Sequence, residues 1–328
     1  MLAHPLGGPV KIYMLILAVF LLAAPVLGED CDRACLNGFV DAYWEAWVNH
    51  APDRLPLTPD ARYTENGVTL QLGDGMWAPP SHKMGDYKLY FADPTAGQVG
   101  FMGTLFESGH RRIVFLRLKI ENRRIREMET LIVRSSGMGG GQTPTPVLVD
   151  KPVFHETVLP KERPSRWEMA NIANLYFEAM EKGTDQLTPF DPKCQRIENG
   201  MIAAGNPDAP GAMQKMSCGE QFATGFSYLI TKVRERRYPI IDEERGLVLA
   251  FVFLDHSGAF PEFKMTDGKP MKLSPPFDAP YSFIMAELFR IKDRKILQVE
   301  AVLLEVPYGM PSGWIDPDSP HGAIQFLK

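Results

Sequence analysis

The feature that most constrains the fold of this 328-residue chain is an internal repeat. The stretch FVDAYWEAWVNHAPDRLPLTPDARYTENG at 39–67 is matched by NIANLYFEAMEKGTDQLTPFDPKCQRIENG at 171–200. Both begin as an amphipathic helix, pass through a polar turn and a proline-containing break, and end on Glu-Asn-Gly. A tandem duplication is the economical explanation, because two further pairs of segments match in the same order. These pairs are 93–109 with 242–258, and 118–133 with 289–304.

Each copy has helical patterns first and alternating strand patterns afterwards. This order is typical of an α+β fold and differs from the βαβ alternation of a Rossmann sheet. The Gly- and Pro-rich stretch SSGMGGGQTPTP separates the copies and indicates a linker or an exposed loop. The predicted parts are a signal peptide, a first unit, a linker, a second unit and a C-terminal tail, at 1–28, 29–136, 137–164, 165–315 and 316–328.

The N-terminus has the composition of a secretory signal. An apolar run from Ile12 to Ala24 follows a lysine, and the small residues before Glu29 suit a signal-peptidase cut. The run is shorter than the roughly 20 residues of a membrane span, although an N-terminal membrane anchor is the alternative interpretation. We therefore expect a secreted, extracellular protein that has no membrane association after cleavage.

Four cysteines form an even set, which in a secreted chain favours disulfides. Cys31 and Cys35 are placed to close a local loop, whereas Cys194 and Cys218 flank a Gly- and Pro-rich insertion. Four cysteines allow three pairings, and metal binding is the competing interpretation. Because no histidine lies at ligand spacing from these cysteines, we expect no metal.

The charge pattern argues against a nucleic-acid partner. The chain has 35 Lys plus Arg against 40 Asp plus Glu, and the basic residues are scattered. No basic stripe would follow a phosphate backbone. Gly139–Gly141 is not a phosphate loop, because no Gly-Lys-Ser/Thr follows it. The sequence has neither a Gly-x-Ser-x-Gly elbow nor a His-Glu-x-x-His motif. We expect no cofactor, and any catalysis would use a carboxylate or a histidine.

Several longer motifs carry a family resemblance. Through them, the chain from Cys31 to Trp314 resembles a family of secreted, mostly fungal proteins of unassigned function. The halves of these proteins are similar to the SnoaL-like branch of the nuclear transport factor 2-like superfamily. The motifs are CDRACLNGFVDAYWEAW, YTENGVTLQLGDGMW, DPTAGQVGF, LRLKI, REMETLIVR and VPYGMPSGW.

The resemblance implies two tandem cone-shaped units. In each, helices would pack on a strongly curved antiparallel β-sheet and leave an apolar pocket inside. We expect the units to form an intramolecular pseudo-dimer. Superfamily members include dehydratases, ketosteroid isomerases, epoxide hydrolases and polyketide cyclases, as well as non-catalytic binding modules, and some relatives have been linked to cleavage of lignin-type aryl ethers. The fold alone does not choose among these activities.

The Glu-Asn-Gly motif supplies the first candidate site residues. Glu65 is a candidate acid-base group, and Asn66 is a candidate ligand-binding amide. The alternative is that Asn66-Gly67 forms a tight hairpin turn with Glu65 in solvent beside it. If the segment is a strand, Glu65 and Asn66 point to opposite faces, and only one of them can line a pocket.

Two charged residues on predicted strands are further candidates. Glu129 alternates with Leu131 and Val133, and an apolar environment would raise the pKa of its carboxyl group. Arg117 could anchor an anion or a carbonyl group of a ligand. The alternatives are an ion pair between Glu129 and Arg117, and an arginine that simply faces outward from the sheet.

His256 is the third acid-base candidate, because histidine titrates near neutral pH. It adjoins Asp255, but adjacent strand residues face opposite ways, and Asp-His-Ser-Gly is also an ordinary turn sequence. Trp77, Tyr63 and Tyr90 are candidate aromatic walls for a flat ligand, with core packing as the alternative role.

The expected ligand is a small apolar or aromatic molecule. The first unit is the favoured site, because its YTENGVTLQLGDGMW loop is compact, whereas an insertion follows Gly200 in the second unit. The first hypothesis is a cofactor-free lyase, isomerase or hydrolase, for example one that acts on aryl ethers or secondary metabolites. The second is a non-catalytic binding or interaction module.

Overall fold

The computed structural model describes residues 31–134, 148–273 and 277–314. The predicted signal peptide at 1–28 and the predicted tail at 316–328 lie outside these residues, and so does part of the predicted linker. Within the described ranges, no helix is both long enough and apolar enough to cross a membrane.

The first unit combines one long helix with six strands. The helix α1 spans Arg33–Val48, and the strands are β1 Leu57–Glu65, β2 Val68–Leu70, β3 His82–Asp93, β4 Gln98–Glu107, β5 His110–Glu121 and β6 Arg124–Val133. All six strands belong to one sheet in the order β2-β1-β6-β5-β4-β3.

The second unit repeats this plan and adds an insertion. Its elements are α2 Arg166–Lys182, β7 Phe190–Glu198, β8 Met201–Ala204, α3 Ala212–Lys215, α4 Cys218–Ala223, β9 Lys232–Asp242, β10 Leu247–His256, β11 Glu262–Lys264, β12 Pro270–Lys272, β13 Tyr281–Lys292 and β14 Lys295–Val306. Its main sheet has the order β8-β7-β14-β13-β10-β9, and β11 pairs with β12 separately. The two six-stranded sheets therefore match strand by strand, as two tandem units require.

Both sheets are mixed, which corrects the expectation of antiparallel sheets. β1 runs parallel to β6, and β7 runs parallel to β14, while the other neighbouring strands are antiparallel. The first strand of each unit lies beside the last, and such a distant pair is not limited to the antiparallel geometry of a hairpin. Each unit has a single long helix on a large sheet, so α+β describes the fold only roughly.

The helix α1 forms where apolar residues recur at helical spacing. Leu36, Val40 and Tyr43 are all buried, three or four residues apart. Asp32 caps the helix, because its carboxylate accepts a 2.9 Å hydrogen bond from the backbone N–H of Cys35. The apolar stripe covers one face of the sheet, which we call the inner face.

The helix α2 has the same construction in the second unit. Ser165 caps its N-terminus by accepting from the backbone N–H of Glu168, and Gly183 ends it with a left-handed φ of 59°. Tyr176 and Phe177 project from α2 into the apolar core on the inner face of the second sheet. Each unit therefore has its own core between helix and sheet.

The opposite, outer faces of the two sheets pack against each other. A single apolar cluster joins Phe115 and Leu131 of the first unit to Phe251, Ile284 and Val302 of the second. The ring centroids of Phe115 and Phe251 are 5.2 Å apart in an edge-to-face arrangement. The central strands are consequently covered on both faces. The helix of the same unit covers the inner face, and the sheet of the opposite unit covers the outer face.

Two aspartates connect the edge strands of the units reciprocally. Asp93, at the end of β3, accepts a 3.0 Å hydrogen bond from Arg166 at the start of α2. Asp242, at the end of β9, accepts a 2.7 Å hydrogen bond from Arg33 at the start of α1. Each aspartate also accepts a hydrogen bond from a backbone N–H of the other unit. This exchange of equivalent contacts is the pattern of an isologous interface between two copies.

The cysteines form two disulfides, Cys31–Cys35 and Cys194–Cys218. The prediction of disulfides is thereby confirmed. The first closes a short loop at the start of α1. The second joins β7 to α4 and fastens the insertion of the second unit to its sheet.

Candidate functional site

Glu65 lies on the inner face of the first unit, where three donors hold its carboxylate. Oε2 accepts from the Tyr63 hydroxyl at 3.0 Å and from the backbone N–H of Met76 at 2.6 Å. Oε1 accepts from Arg134 at 2.9 Å. A Cβ at Gly75 would lie 2.2 Å from Oε2, so the close approach of this loop requires glycine. Glu65 is thus buried and paired with a guanidinium group.

Asn66 occupies a tight turn, which was the alternative interpretation of the motif. Asn66 and Gly67 have φ angles of 50° and 81°. The Asn66 side chain also bonds to the backbone of β6, accepting from the N–H of Ile132 at 2.9 Å. Asn199 of the second copy accepts from the N–H of Leu303 at 3.0 Å in the same way. The repeated asparagine therefore fastens the β-hairpin to the last strand of each unit.

The three candidate aromatic residues pack within the first unit. Trp77 is buried, and its indole N–H donates to the Tyr43 hydroxyl at 3.3 Å. Tyr63 lies in the same core and donates to the carboxylate described above. The half-buried Tyr90 donates its hydroxyl to Asp41 of α1 at 2.8 Å. Trp77 therefore takes the core-filling role that was its alternative.

Glu129 and Arg117 lie on the outer face of the first sheet, between the units. Arg117 donates to Glu129 at 2.8 Å, and Arg237 of the second unit donates to it at 2.6 Å. Burial tends to raise the pKa of Glu129, but the two guanidinium groups outweigh it and hold this pKa below its usual value. The carboxylate shares its face with apolar residues, as the alternation predicts, and it also forms the ion pair that was the alternative.

His256 lies at the end of β10 on the inner face of the second unit. Its Nδ1 is 2.6 Å from the carbonyl oxygen of Leu229, so Nδ1 must carry the proton and donate. Nε2 is buried and has no hydrogen-bond partner among the described residues. Asp255 points to the other face, where it bonds to Arg234 and Ser282. His256 and Asp255 therefore form no dyad.

The residue that sequence reasoning missed is Glu287, in the middle of β13. It alternates with Met285 and Phe289, which belong to the core on the inner face of the second unit. Its exposed fraction is 1%. In the part of the chain that the structure describes, Oε2 of Glu287 has no hydrogen-bond partner. A buried carboxylate oxygen in this state is unusual in a folded protein.

Tyr176 and Arg196 surround Glu287. The Tyr176 ring packs against Phe222 and Phe289, with centroid distances of 5.0 and 5.1 Å. The Tyr176 hydroxyl lies close enough to act on Glu287 without reaching hydrogen-bonding geometry. This hydroxyl and Nε of Arg196 are also buried without a partner within the described ranges. Three polar side chains thus leave one atom each unsatisfied in an aromatic environment.

Burial determines the protonation states of Glu287 and Tyr176. It raises the pKa of Glu287 to about 8, although Arg196 and the Tyr176 hydroxyl act in the opposite direction. Burial also raises the pKa of Tyr176 well above its usual value. At neutral pH Glu287 is therefore mostly a neutral carboxylic acid, which can donate a hydrogen bond, as Tyr176 can.

The insertion of the second unit builds one wall around Arg196. Arg196 donates to Gln221 of α4 and to Glu198 of its own strand. Its guanidinium carbon lies 5.5 Å from the ring centroid of Phe222 and 5.5 Å from that of Phe226. The Cys194–Cys218 disulfide fixes α4 beside this strand. The insertion, which the sequence suggests is an interruption of the second unit, thus forms part of the surroundings of Arg196.

A sequence signal for Glu287 exists. Glu287 is the one acidic residue in the otherwise apolar stretch YSFIMAELF, and it shares a strand face with Met285 and Phe289. It is the same kind of signal that alternation along β6 gives for Glu129. By strand pairing, Leu116 holds the corresponding place in the first unit, so the repeat does not draw attention to this position.

Metal ligation finds no support in the described part of the chain. No group of three or more His, Cys, Asp or Glu side chains there is arranged to hold a metal ion. The cysteines are all bonded in the two disulfides.

Three solved structures each resemble about a third of this chain. One is a protein of unknown function with a cystatin-like fold from Methylobium petroleophilum PM1, with a TM-score of 0.29 and 11% identity over 34% of this chain and 83% of that one. Another is a candidate polyketide cyclase from Xanthomonas campestris pv. campestris, with a TM-score of 0.26 and 15% identity over 30% of this chain and 90% of that one. The third is AclR, a candidate hydroxylase from Streptomyces galilaeus, with a TM-score of 0.26 and 15% identity over 31% and 81%.

These TM-scores are too low to carry an argument about chemistry. No curated protein matches the chain. A family model does match it over two segments, 29–132 and 162–303, one in each unit. These segments cover most of the sequence, and the chain therefore belongs to the family described as Domain of unknown function (DUF8021).

Proposed function

We propose that the second unit binds a small apolar or aromatic molecule in its interior, with Glu287 as the acid-base group. The observation that carries the proposal is the set of unsatisfied polar atoms on Glu287, Tyr176 and Arg196 among aromatic rings. Buried polar atoms without partners cost free energy, and a site for a ligand is one reason why a protein retains them.

The donors on these side chains select the polar group of the ligand. The Arg196 Nε–H can only donate, the Tyr176 hydroxyl can donate, and protonated Glu287 can donate. A carboxylic acid kept neutral by an apolar site can stabilise negative charge that develops on a bound oxygen. We therefore infer a ligand with a carbonyl, ether or phenolic oxygen, and a lyase, isomerase or hydrolase reaction that needs no cofactor.

The favoured site is therefore in the second unit, whereas the sequence favours the first. In the first unit, Glu65 accepts hydrogen bonds from three donors, and Glu129 is paired with two arginines. The oxygens of Glu65 are therefore already occupied by donors of the protein, and the arginines hold the pKa of Glu129 below its usual value, which makes Glu129 a poor proton donor. The first unit would then act as the partner that packs against the second sheet, in an intramolecular pseudo-dimer.

Secretion is part of the same proposal. The apolar run at 12–24 has the pattern of a signal peptide, and disulfides form and persist in oxidising compartments such as the cell exterior. An extracellular protein with an apolar interior could meet plant-derived aryl ethers or secondary metabolites.

A non-catalytic binding module is the second candidate function. The ion pairs of Glu65 and Glu129 favour this function. A binding module catalyses no reaction, so its buried carboxylates are expected to be neutralised by arginines. The two candidates share the binding site in the second unit and differ in whether the bound compound is converted.

The test is a screen by native mass spectrometry and thermal shift against aromatic and terpenoid compounds, including β-aryl ether models. Every compound that binds is then analysed for products. Glu287→Gln should abolish conversion, and Glu300→Gln is the matched control, because Glu300 is also buried but lies on the outer face. Conversion that survives Glu287→Gln would remove this residue as the acid-base group. Binding without conversion would favour the binding module.

A further inference from the structure

The second unit has a second insertion, at the end of β10, that is separate from the one carrying α3 and α4. In the first unit, Ser108 and Gly109 alone join β4 to β5. In the second unit, the equivalent connection from β10 to β13 spans 257–280 and contains β11 and β12. We call residues 257–273 of this connection the cover.

His256 and Tyr281 lie beneath the cover. They are paired across β10 and β13, so both side chains project from the inner face of the second sheet. Their ring centroids are 5.0 Å apart, and the exposed fractions of the two residues are 0% and 3%. Phe260 of the cover meets the His256 ring in an edge-to-face arrangement, with the centroids 6.0 Å apart. The cover therefore helps to enclose two polar side chains.

Each of these side chains has a buried polar atom without a partner. Nε2 of His256 and the Tyr281 hydroxyl have no hydrogen-bond partner among the described residues. Because Nδ1 of His256 donates to the carbonyl oxygen of Leu229, Nε2 of the neutral imidazole is an acceptor. Burial raises the pKa of Tyr281 above its usual value, so its hydroxyl keeps its proton and can donate. An acceptor and a donor thus lie side by side.

The equivalent pair of the first unit is satisfied without a cover. By strand pairing, Glu107 of β4 and His110 of β5 hold these places. Both oxygens of Glu107 accept from Arg134, at 2.9 and 2.8 Å, and His110 is exposed to solvent. Buried polar atoms are normally hydrogen-bonded, so the unpartnered atoms beneath the added cover indicate a binding site.

We propose that the second unit binds a phenol beneath the cover, at His256 and Tyr281. A single phenolic hydroxyl can donate to Nε2 of His256 and accept from the Tyr281 hydroxyl at the same time. An ether or a ketone can only accept, and it would leave Nε2 unpaired. Aromatic side chains around the two residues favour an aromatic ligand, and they are Phe260, Phe277 and Phe283.

The cover buries little apolar surface, which gives a ligand a way in. Along β11 and β12, Phe263 and Met271 are partly buried and the other side chains are exposed. Thr266 donates to the carbonyl oxygens of Ala223 and Thr224, at 2.7 and 3.0 Å. A segment with few buried apolar contacts opens locally at a low cost in free energy.

This site is distinct from the one around Glu287. Tyr281 and Glu287 lie on the same strand, and the six residues between their positions correspond to roughly 20 Å. That distance exceeds the length of a small aromatic molecule. The phenol site therefore does not depend on the role proposed for Glu287.

The experiment is a titration of the protein with phenol, followed by ¹H–¹⁵N NMR of the His256 imidazole ring. Phenol should bind saturably and shift the Nε2 resonance toward that of a hydrogen-bonded acceptor. Anisole keeps the ring and the oxygen but has no hydroxyl proton, so it should bind about fivefold more weakly, as expected for loss of one hydrogen bond. Tyr281→Phe removes only the hydroxyl and should weaken phenol binding by a similar factor.

Tyr90→Phe is the matched control, because it removes a tyrosine hydroxyl of the first unit, and it should leave the affinity for phenol unchanged. The proposal fails if millimolar phenol leaves the Nε2 resonance as it is in the free protein, which is the result expected if water alone satisfies these atoms. It also fails if anisole binds as tightly as phenol, or if Tyr281→Phe binds phenol as tightly as the unchanged protein. Because the signal is read at His256, its absence would not count against the site around Glu287.

Discussion

Glu129 and Glu300 occupy equivalent positions on the last strands of the two units, yet their environments shift their pKa values in opposite directions. Glu129 is held by Arg117 and Arg237. Glu300 instead accepts a 2.9 Å hydrogen bond from the Tyr87 hydroxyl of the first unit. Burial raises the pKa of Glu300 to about 7, whereas the arginines lower that of Glu129. The duplicated carboxylates thus share a place in the interface and differ in charge state.

The stability of the protein should fall as pH rises from 5 to 8, in part through Glu300. A carboxyl group whose folded-state pKa is raised binds its proton more tightly in the folded state, so it contributes stability at low pH. That contribution is lost as pH rises from the unfolded-state pKa through the folded value of about 7. Urea denaturation from pH 5 to pH 8 measures the decrease in the free energy of unfolding. In Glu300→Gln this decrease should be smaller than in the unchanged protein by roughly 2–3 kcal/mol.

Glu305→Gln, at an exposed position on the same strand, is the control and should keep the slope of the unchanged protein. Glu287 contributes a slope of the same sign, since burial also raises its pKa. An unchanged slope in Glu300→Gln would contradict the assignment of Glu300 as a titrating interface group.

Removal of the Glu129 charge should destabilise the protein strongly. Glu129→Gln leaves the nearly buried Arg237 without an ion-pair partner among the described residues, while Arg117 keeps Glu127, and an uncompensated buried charge costs about 3 kcal/mol or more. Glu127 pairs with the same Arg117 but is more exposed, so Glu127→Gln should cost less than about 1 kcal/mol. Both costs are measured as the change in the free energy of unfolding at pH 7. Equal costs for Glu129→Gln and Glu127→Gln would contradict the prediction.

The two turn asparagines should contribute to stability in the same way. Asn66→Ala places alanine at a positive φ and removes the hydrogen bonds to β6, for a cost of about 2 kcal/mol. Asn66→Gly tolerates the φ angle and loses only the side-chain bonds, so it should cost about half as much. The corresponding changes at Asn199 should follow this order in denaturation experiments. A cost for Asn66→Gly as large as that for Asn66→Ala would leave the backbone angle without a role.

The Cys194–Cys218 disulfide should matter more for stability than Cys31–Cys35. Its sequence separation is 24 residues against 4, and a longer closed loop restricts the unfolded chain more. Replacing Cys194 and Cys218 together by serine should cost about 3 kcal/mol and make the insertion more sensitive to protease. Replacing the other pair by serine is the control, and an equal loss from both would indicate that loop length is not the cause.

The amino-acid sequence was sufficient for those features that depend on local or repeated patterns. The duplication follows from the matched order of three segments, and the Asn66-Gly67 turn follows from the backbone freedom of that dipeptide. The even set of cysteines predicted the disulfides. Alternation along β6 correctly placed Glu129 on an apolar face, because side chains of a strand point to opposite sides with a period of two.

Tertiary structure alone decided what each face of a strand meets. The period of two is the same for both faces, so it does not tell whether Glu129 faces the helix or the other unit. Alternation along β13 likewise places Glu287 on an apolar face, but it does not tell that Glu65 finds three donors while Oε2 of Glu287 finds none among the described residues. Whether the pKa of a carboxyl group rises or falls depends on its burial and on arginines from distant strands, such as Arg237 beside Glu129. These contacts join residues far apart in sequence, and they exist only once the two sheets have packed together.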